Sequence, residues 1–219
     1  MKKIIKFLLL LTAAISISIS ADVPIRLDEV LPSQNETRVE LGVNYFNAYS
    51  AYDTNSYIAA RYGINEYVEV YGNVTNRNDF TLGLNVQLSP DNDTVALIGF
   101  TETSKNGTNM IGFTAYRSID PVILSITTGY QNTKNDLNDL NDLNDLWFIN
   151  PGVGFVVNNE VTFSAGLDMT LRQDNTKQTA LELGLGYSIN NQDTLSVKIQ
   201  TDISDYTGTN IHLRWISKL

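Results

Sequence analysis

Apolar and polar residues alternate with a period of two along most of the chain from Glu36 onward. The clearest stretches are "ETRVELGVNYF", "DFTLGLNVQL", "EVTFSAGLDMTL", "QTALELGLGYSI", "DTLSVKIQTDI" and "NIHLRWISKL". In each, one parity is apolar and the other is polar or Gly, the pattern of a strand with two unlike faces. Twelve strands are predicted, at about 37–46, 56–64, 67–75, 79–88, 94–102, 109–117, 122–131, 147–156, 161–171, 178–189, 194–203 and 210–219. Two fit the pattern poorly. "TVALIGFTE" is apolar on both parities, so its register stays open. Pro151 falls inside the eighth strand, where its missing N–H predicts a bulge.

The connections alternate in character. "INEY", "SPDND", "SIDP", "VNNE" and "INNQD" are terse, whereas "NAYSAYDTN", "SKNGTN", "RQDNTK" and "SDYTGTN" are longer and polar, with "NRND" the short exception. Short turns at one rim and longer loops at the other describe an antiparallel transmembrane β-barrel with both termini periplasmic. Outward aromatics sort by height in the same way. Tyr45, Phe80, Tyr130 and Trp147 fall near the outer rim, and Tyr62, Phe155, Phe163 and Tyr187 near the periplasmic rim. Between them the outward residues are aliphatic, as at Leu82, Leu84, Leu167, Leu183, Leu185 and Val197. Aromatic girdles around an apolar band suit a bilayer, because Tyr and Trp settle at headgroup level. A soluble sandwich has no cause to sort its aromatics so.

The first residues, "MKKIIKFLLLLTAAISISISA", combine three Lys, an apolar run and small residues, as in a secretory signal peptide spanning residues 1–21. Residues 22–35, with Pro24 and Pro32, read as an irregular periplasmic lead-in, and residues 36–219 as the barrel. Loss of the three Lys leaves 15 − 3 = 12 basic residues against 24 acidic ones, a net charge near −12. That excess of acid argues against nucleic acid as a partner. The chain has no Cys, so disulfide, thiolate and zinc–cysteine chemistry are excluded.

Residues 135–146 read "NDLNDLNDLNDL". A strand would send successive Leu side chains to opposite faces, and Asn and Asp are weak helix formers. Calcium loops space their ligands by two and use Gly and a bidentate Glu, both missing here. The repeat therefore reads as a solvated acidic loop.

Parity places a mixed set of charges on the inner face: Arg38, Arg61, Arg172, Lys198, Arg214 and Lys218, with His212, against Glu40, Glu69, Asp168, Glu182 and Asp202. Gly42, Gly83, Gly152, Gly154, Gly166, Gly184 and Gly186 share that face. Charges beside Ser, Thr, Asn and Gln suit a lumen in contact with water and would set its selectivity. Alternatively, they are ion pairs that fill a narrow barrel, since eight strands enclose only side chains while sixteen or more leave a channel. His212 is the one histidine, so any Ser–His or Asp–His chemistry must use it. Ser196 and Ser188 are inner-face candidates for its partner, though no spacing selects them. No metal cluster, phosphate loop or nucleotide fingerprint is present, and no cofactor is expected.

"LDEVLPSQNETRVELGVNYFNAYS" and "SYIAARYGINEYVEVYGNV" resemble the opening of bacterial outer-membrane transporter barrels of the meta-pathway phenol-degradation type. The features that carry the resemblance are Val30-Leu31, Val39-Glu40 with Tyr45, Arg61-Tyr62-Gly63 and Glu69. It implies an outer-membrane transporter and covers about a quarter of the mature chain. The last strand resembles the signal read by the barrel assembly machinery, with Ile211, Leu213, Trp215 and Leu219 on one parity. It departs from that signal in ending on Leu and in placing Ser217 in the series. Twelve strands with short loops are also similar to small acidic-oligosaccharide channels, whose strongly basic lumen is absent here. The expected function is an outer-membrane channel or transporter in a Gram-negative bacterium that passes a small solute through a narrow mixed-charge lumen. The alternatives are a closed structural or surface-interaction barrel with acidic outer loops, and third, a His212-dependent hydrolase.

Overall fold

A computed structural model describes residues 34–48, 51–88, 95–105, 107–133, 145–173, 175–204 and 208–219. Residues 1–21, read above as a signal peptide, nearly all of residues 22–35, read as a lead-in, and the repeat up to Asn144 lie outside the described residues. The described chain forms β1 (Thr37–Ala48), β2 (Ala51–Asn65), β3 (Val68–Thr75), β4 (Phe80–Gln87), β5 (Val95–Ser104) and β6 (Thr108–Ile119). β7 (Val122–Thr133), β8 (Leu146–Val156), β9 (Val161–Arg172), β10 (Lys177–Ser188), β11 (Asp193–Asp202) and β12 (Thr209–Lys218) follow. Each strand pairs antiparallel with its sequence neighbours. β1 pairs with β12 from Arg38↔Lys218 to Asn47↔Thr209, which closes the barrel. Closure leaves no edge strand with unsatisfied backbone groups, as a lipid environment requires. Twelve strands spaced about 4.8 Å apart and tilted by roughly 40° make a barrel about 24 Å across between backbones.

All twelve predicted strands are present, most within two residues of their expected ends. The largest difference is at β2, which begins at Ala51 and pairs with β1 up to Ala48↔Ala51. The expected long polar loop there is mostly ladder, and the rings of Tyr45 and Tyr52 stack with centroids 6.0 Å apart. The contrast in loop length between the rims is correspondingly weaker than the sequence suggests.

Pro151 produces no bulge. Its pairing with β7 is continuous through Ile126↔Pro151. On the β9 side the ladder lapses between Ile149↔Met169 and Gly152↔Gly166 and resumes in the same register. The missing N–H thus deletes bonds toward one neighbour without inserting a residue. Gly166 allows the close approach, since a Cβ there would sit 3.1 Å from the Pro151 carbonyl oxygen. A register shift does occur in the β2–β3 hairpin, between Gly63 and Asn65.

The outer face is apolar and exposed, with Leu82, Leu183, Leu185 and Val197 in its middle. Tyr45, Phe80 and Trp147 lie toward one end and Tyr62, Phe155, Phe163 and Tyr187 toward the other, as the girdles predict. Tyr130 packs against Trp147, with ring centroids 5.1 Å apart. Among the described residues, the outward charges on strands are Arg117, Lys177 and Asp193, all within three residues of a strand end. Buried hydrophobic residues are found instead on the inner face.

The barrel lumen as candidate functional site

The inner face divides into two unlike arcs. β6, β7 and β8 place no charged side chain inside, and β5 places only Glu102 there. On this arc Phe100, Met110, Leu146 and Phe148 form one buried apolar cluster. Ala96, Ile98, Tyr116 and Ile123 form another, against which Val156 packs. Phe100 and Phe148 stack, centroids 6.4 Å apart, over the Gly112↔Gly129 pair. A Cβ at either glycine would fall within 2.7 Å of the neighbouring ring, so the two rings lie against bare backbone. Between the clusters Thr114 and Thr127 share a hydrogen bond of 2.9 Å, and Thr127 is fully buried. These side chains are packed away from water already, so the arc is a core and not an apolar track open to solute.

The opposite arc, β9 to β12 and β1 to β3, carries the charges. Register places Arg38, Glu40, Arg61, Glu69, Asp168, Arg172, Glu182, Lys198, Asp202, His212, Arg214 and Lys218 on the inner face, as parity predicts. Eight of them gather into three polar groups. In the first, Tyr57 lies across Gly42, its cross-strand partner, and its hydroxyl donates to Glu40. The same oxygen is 2.8 Å from His212 Nε2. A phenol has one proton to give, so the imidazole is the donor in that contact. Arg214 Nε donates to Ser196 Oγ at 3.2 Å and stands 3.9 Å from Glu40.

In the second group the buried Glu69 accepts from Asn85 Nδ2 at 2.6 Å and from Arg61 Nη1 at 3.4 Å. The Arg61 guanidinium lies 5.5 Å from the centroid of Tyr71. Tyr71 in turn crosses Gly83 and donates to Glu102 at 2.9 Å. The third group surrounds Asp168, which accepts from Gln200 Nε2 at 2.9 Å. Asn150, its amide turned to satisfy its neighbours, donates to the other Asp168 oxygen at 3.0 Å. Lys198 Nζ is 3.6 Å from Glu182 Oε1. Arg61, with 36% of its side chain exposed, is far more open to water than its partner Glu69 at 1%.

Parity reasoning missed Tyr57, Tyr71, Asn85, Asp53 and Glu102. Glu102 was hidden by the double-parity apolar character of its strand, which the structure resolves by turning Ala96, Ile98, Phe100 and Glu102 inward. The tyrosines carry a legible signal in hindsight, because each lies directly across from an inner-face glycine. His212 is engaged with Tyr57, and Ser196 with Arg214; the inner-face position of Ser188 lies at the end of β10. Among the described residues, no group of three His, Asp or Glu is arranged to hold a metal ion. The last two residues of the repeat, Asp145 and Leu146, are anchored. Asp145 accepts from Tyr130 Oη at 2.5 Å, from Gln173 Nε2 at 2.7 Å and from Asn132, and Leu146 joins the inner apolar cluster.

Several solved outer-membrane proteins share this architecture. The NanC porin is similar with a TM-score of 0.65 at 14% identity, over 83% of this chain and 100% of that one. An outer-membrane channel from Pseudomonas putida F1 is similar with a TM-score of 0.65 at 10% identity, over 87% and 97% of the two chains. The KdgM porin in complex with disordered oligogalacturonate gives 0.63 at 5% identity, over 83% and 99%. Identities this low show the shared fold alone. No curated protein sequence matches the chain. The description "outer membrane protein beta-barrel domain" matches residues 7–188, most of the chain, which therefore belongs to that family of barrels in the Gram-negative outer membrane.

Proposed function

We propose that this barrel is a passive channel for small hydrophilic solutes, with its passage displaced toward the charged arc. The observation that carries this reading is the division of the lumen. The charge-free arc of β6–β8 is packed as a core, whereas Arg61, Lys198 and Arg214 on the other arc keep part of their side chains in water. A polar interior inside an apolar outer band is the arrangement of a water-filled pore. On this reading Arg38, Glu40, Arg61, Glu69, Asp168, Arg172, Glu182, Lys198, Asp202, His212 and Arg214 set selectivity. Both termini face the periplasm, at the rim of the two-residue β2–β3 and β6–β7 turns. The C-terminal strand is the segment offered to the assembly machinery.

The fold's likeness to two porins and a channel supports the reading. Oligogalacturonate, bound by one of those porins, is a polyanion. The lumen here balances its charges, so that class of solute is not carried over. The hydrolase reading loses support, because His212 and Ser196 are each engaged with a different neighbour.

The test is single-channel recording of the refolded barrel in a planar bilayer, with and without residues 135–146. Discrete steps are expected in both. Silence in both, with folding established by heat-shifted gel mobility, would leave a closed barrel whose work is done by its loops.

A further inference from the structure

The acids of the inner face are not all held in the same way. Glu40, Glu69 and Glu182 stand 3.9, 3.4 and 3.6 Å from Arg214, Arg61 and Lys198. Asp53 pairs with Arg77, just beyond β3. Glu102, Asp168 and Asp202 differ, because the hydrogen bonds they accept come from neutral donors. Glu102 takes the Tyr71 hydroxyl at 2.9 Å. Asp168 takes the amides of Gln200 and Asn150, at 2.9 and 3.0 Å. Asp202 takes the backbone N–H and the hydroxyl of Ser204, at 2.9 and 2.8 Å. A neutral donor fixes a carboxylate in place and leaves its charge standing. Asp168 is 4% exposed, whereas Glu102 and Asp202 are half-buried and present their charge to the lumen, both within two residues of a loop-side strand end.

A second observation concerns hydrogen-bonding capacity. Glu69 Oε2, Asn55 Oδ1 and Asn210 Oδ1 have no hydrogen-bond partner among the described residues, and neither do the hydroxyls of Ser125, Thr162 and Thr170. No buried side-chain nitrogen among the described residues is in that position. Carboxylate and amide oxygens can only accept, so the wall holds more acceptors than it has donors to fill. Asn55 and Asn210 lie on the two strands that pair with β1, in the loop-side half that also holds Glu102 and Asp202. Both are half-buried, and the broad terminal torsion of asparagine lets the amide turn toward a solute.

From these two observations, and resting on the channel reading above, we infer that the lumen favours small organic cations rich in N–H donors, primary ammonium and guanidinium groups, over anions and over cations poor in donors. Glu102 and Asp202 attract the charge, in a confined space where it is less screened than in bulk water. The N–H groups supply partners to acceptor oxygens that the wall leaves unfilled, which offsets the cost of stripping water from the solute. An anion meets the same oxygens as repulsion. An alkylated ammonium ion brings the charge but few donors.

The experiment records the full mature barrel in a planar bilayer at pH 8. The reversal potential under a KCl gradient gives the ratio of cation to anion permeability. Isopropylammonium and trimethylammonium are then compared as chloride salts; they are isomers of equal charge that differ in their number of N–H donors. Potassium is expected to be several-fold more permeant than chloride in dilute salt, and isopropylammonium several-fold more permeant than trimethylammonium. At 1 M salt, where the screening length is about 3 Å, the first ratio falls toward one. Glu102→Gln combined with Asp202→Asn lowers it in the same way in dilute salt. Chloride as permeant as potassium in the wild type overturns the inference while leaving the channel standing, as do isomers that permeate equally. A folded double variant with the wild-type ratio overturns the assignment to Glu102 and Asp202. Absence of any steps from a folded barrel overturns the channel reading as well. The two wild-type ratios decide the matter even where the double variant fails to fold.

Discussion

Gly42→Ala is expected to destabilise the barrel by evicting one tyrosine. A Cβ on Gly42 would lie 2.1 Å from Tyr57 Cε1 and 2.5 Å from its hydroxyl oxygen, far inside contact distance. Gly42 sits in an extended strand, so alanine meets no backbone penalty there and gains about 0.5–1 kcal/mol over glycine. Against that gain stands the loss of the Tyr57 hydroxyl from Glu40 and His212, which are 6% and 7% exposed. A hydrogen bond to a charged group contributes about 1.5–3 kcal/mol, and a buried polar group left without one costs a similar amount. Glu40 keeps Arg214 at 3.9 Å, which softens the loss. The net expectation is about 2–3 kcal/mol. Equilibrium folding into lipid vesicles against urea measures it, followed by Trp147 and Trp215 fluorescence and by heat-shifted mobility. The decisive comparison is Gly42→Ala in a Tyr57→Ala background, where the same change should be neutral or mildly stabilising. An equal cost in both backgrounds, or a cost below about 0.5 kcal/mol in the wild type, would refute the proposed contact.

Gly83→Ala should act in the same way on Tyr71, whose ring atoms lie 2.1–2.5 Å from the site of the added Cβ; here the displaced ring enters the lumen, and smaller single-channel steps are expected. Leu183→Arg, at the middle of the lipid-facing side of β10, should cost about 2–4 kcal/mol in the same urea titration, whereas arginine at the strand-end position Lys177 should cost little. Pro151→Ala restores an N–H where the β8–β9 ladder lapses and should leave stability unchanged or raise it by up to about 1 kcal/mol. Clear destabilisation by that change would mean the ring, and not the missing donor, shapes the strand.

The features most legible in the sequence were those imposed by the solvent on each side of the wall. Lipid accepts only apolar side chains, with aromatics at its borders, so Leu82, Leu183 and Val197 identify their own face and assign the opposite parity to the lumen. Strands with that contrast had their inner charges read correctly, from Arg38 to Lys218. The strand of Glu102 lacked it, because its inner side packs against other apolar side chains instead of water. The Pro151 bulge was expected from a local rule, and the structure met the same deficit by dropping bonds toward β9 alone.

Period, parity and girdle positions are properties of one strand in one environment, and the sequence by itself determined them: twelve strands, their faces and their place in a bilayer. How the inner faces meet depends on register, and register depends on closure. Strand tilt brings residues far apart in sequence to one height, as when Tyr57 of β2 reaches past β1 to His212 of β12. The same tilt gathers the apolar inner faces of β5–β8 into a core and leaves the charged side chains on the opposite arc. Only the tertiary structure could decide that the lumen has two unlike arcs around its wall.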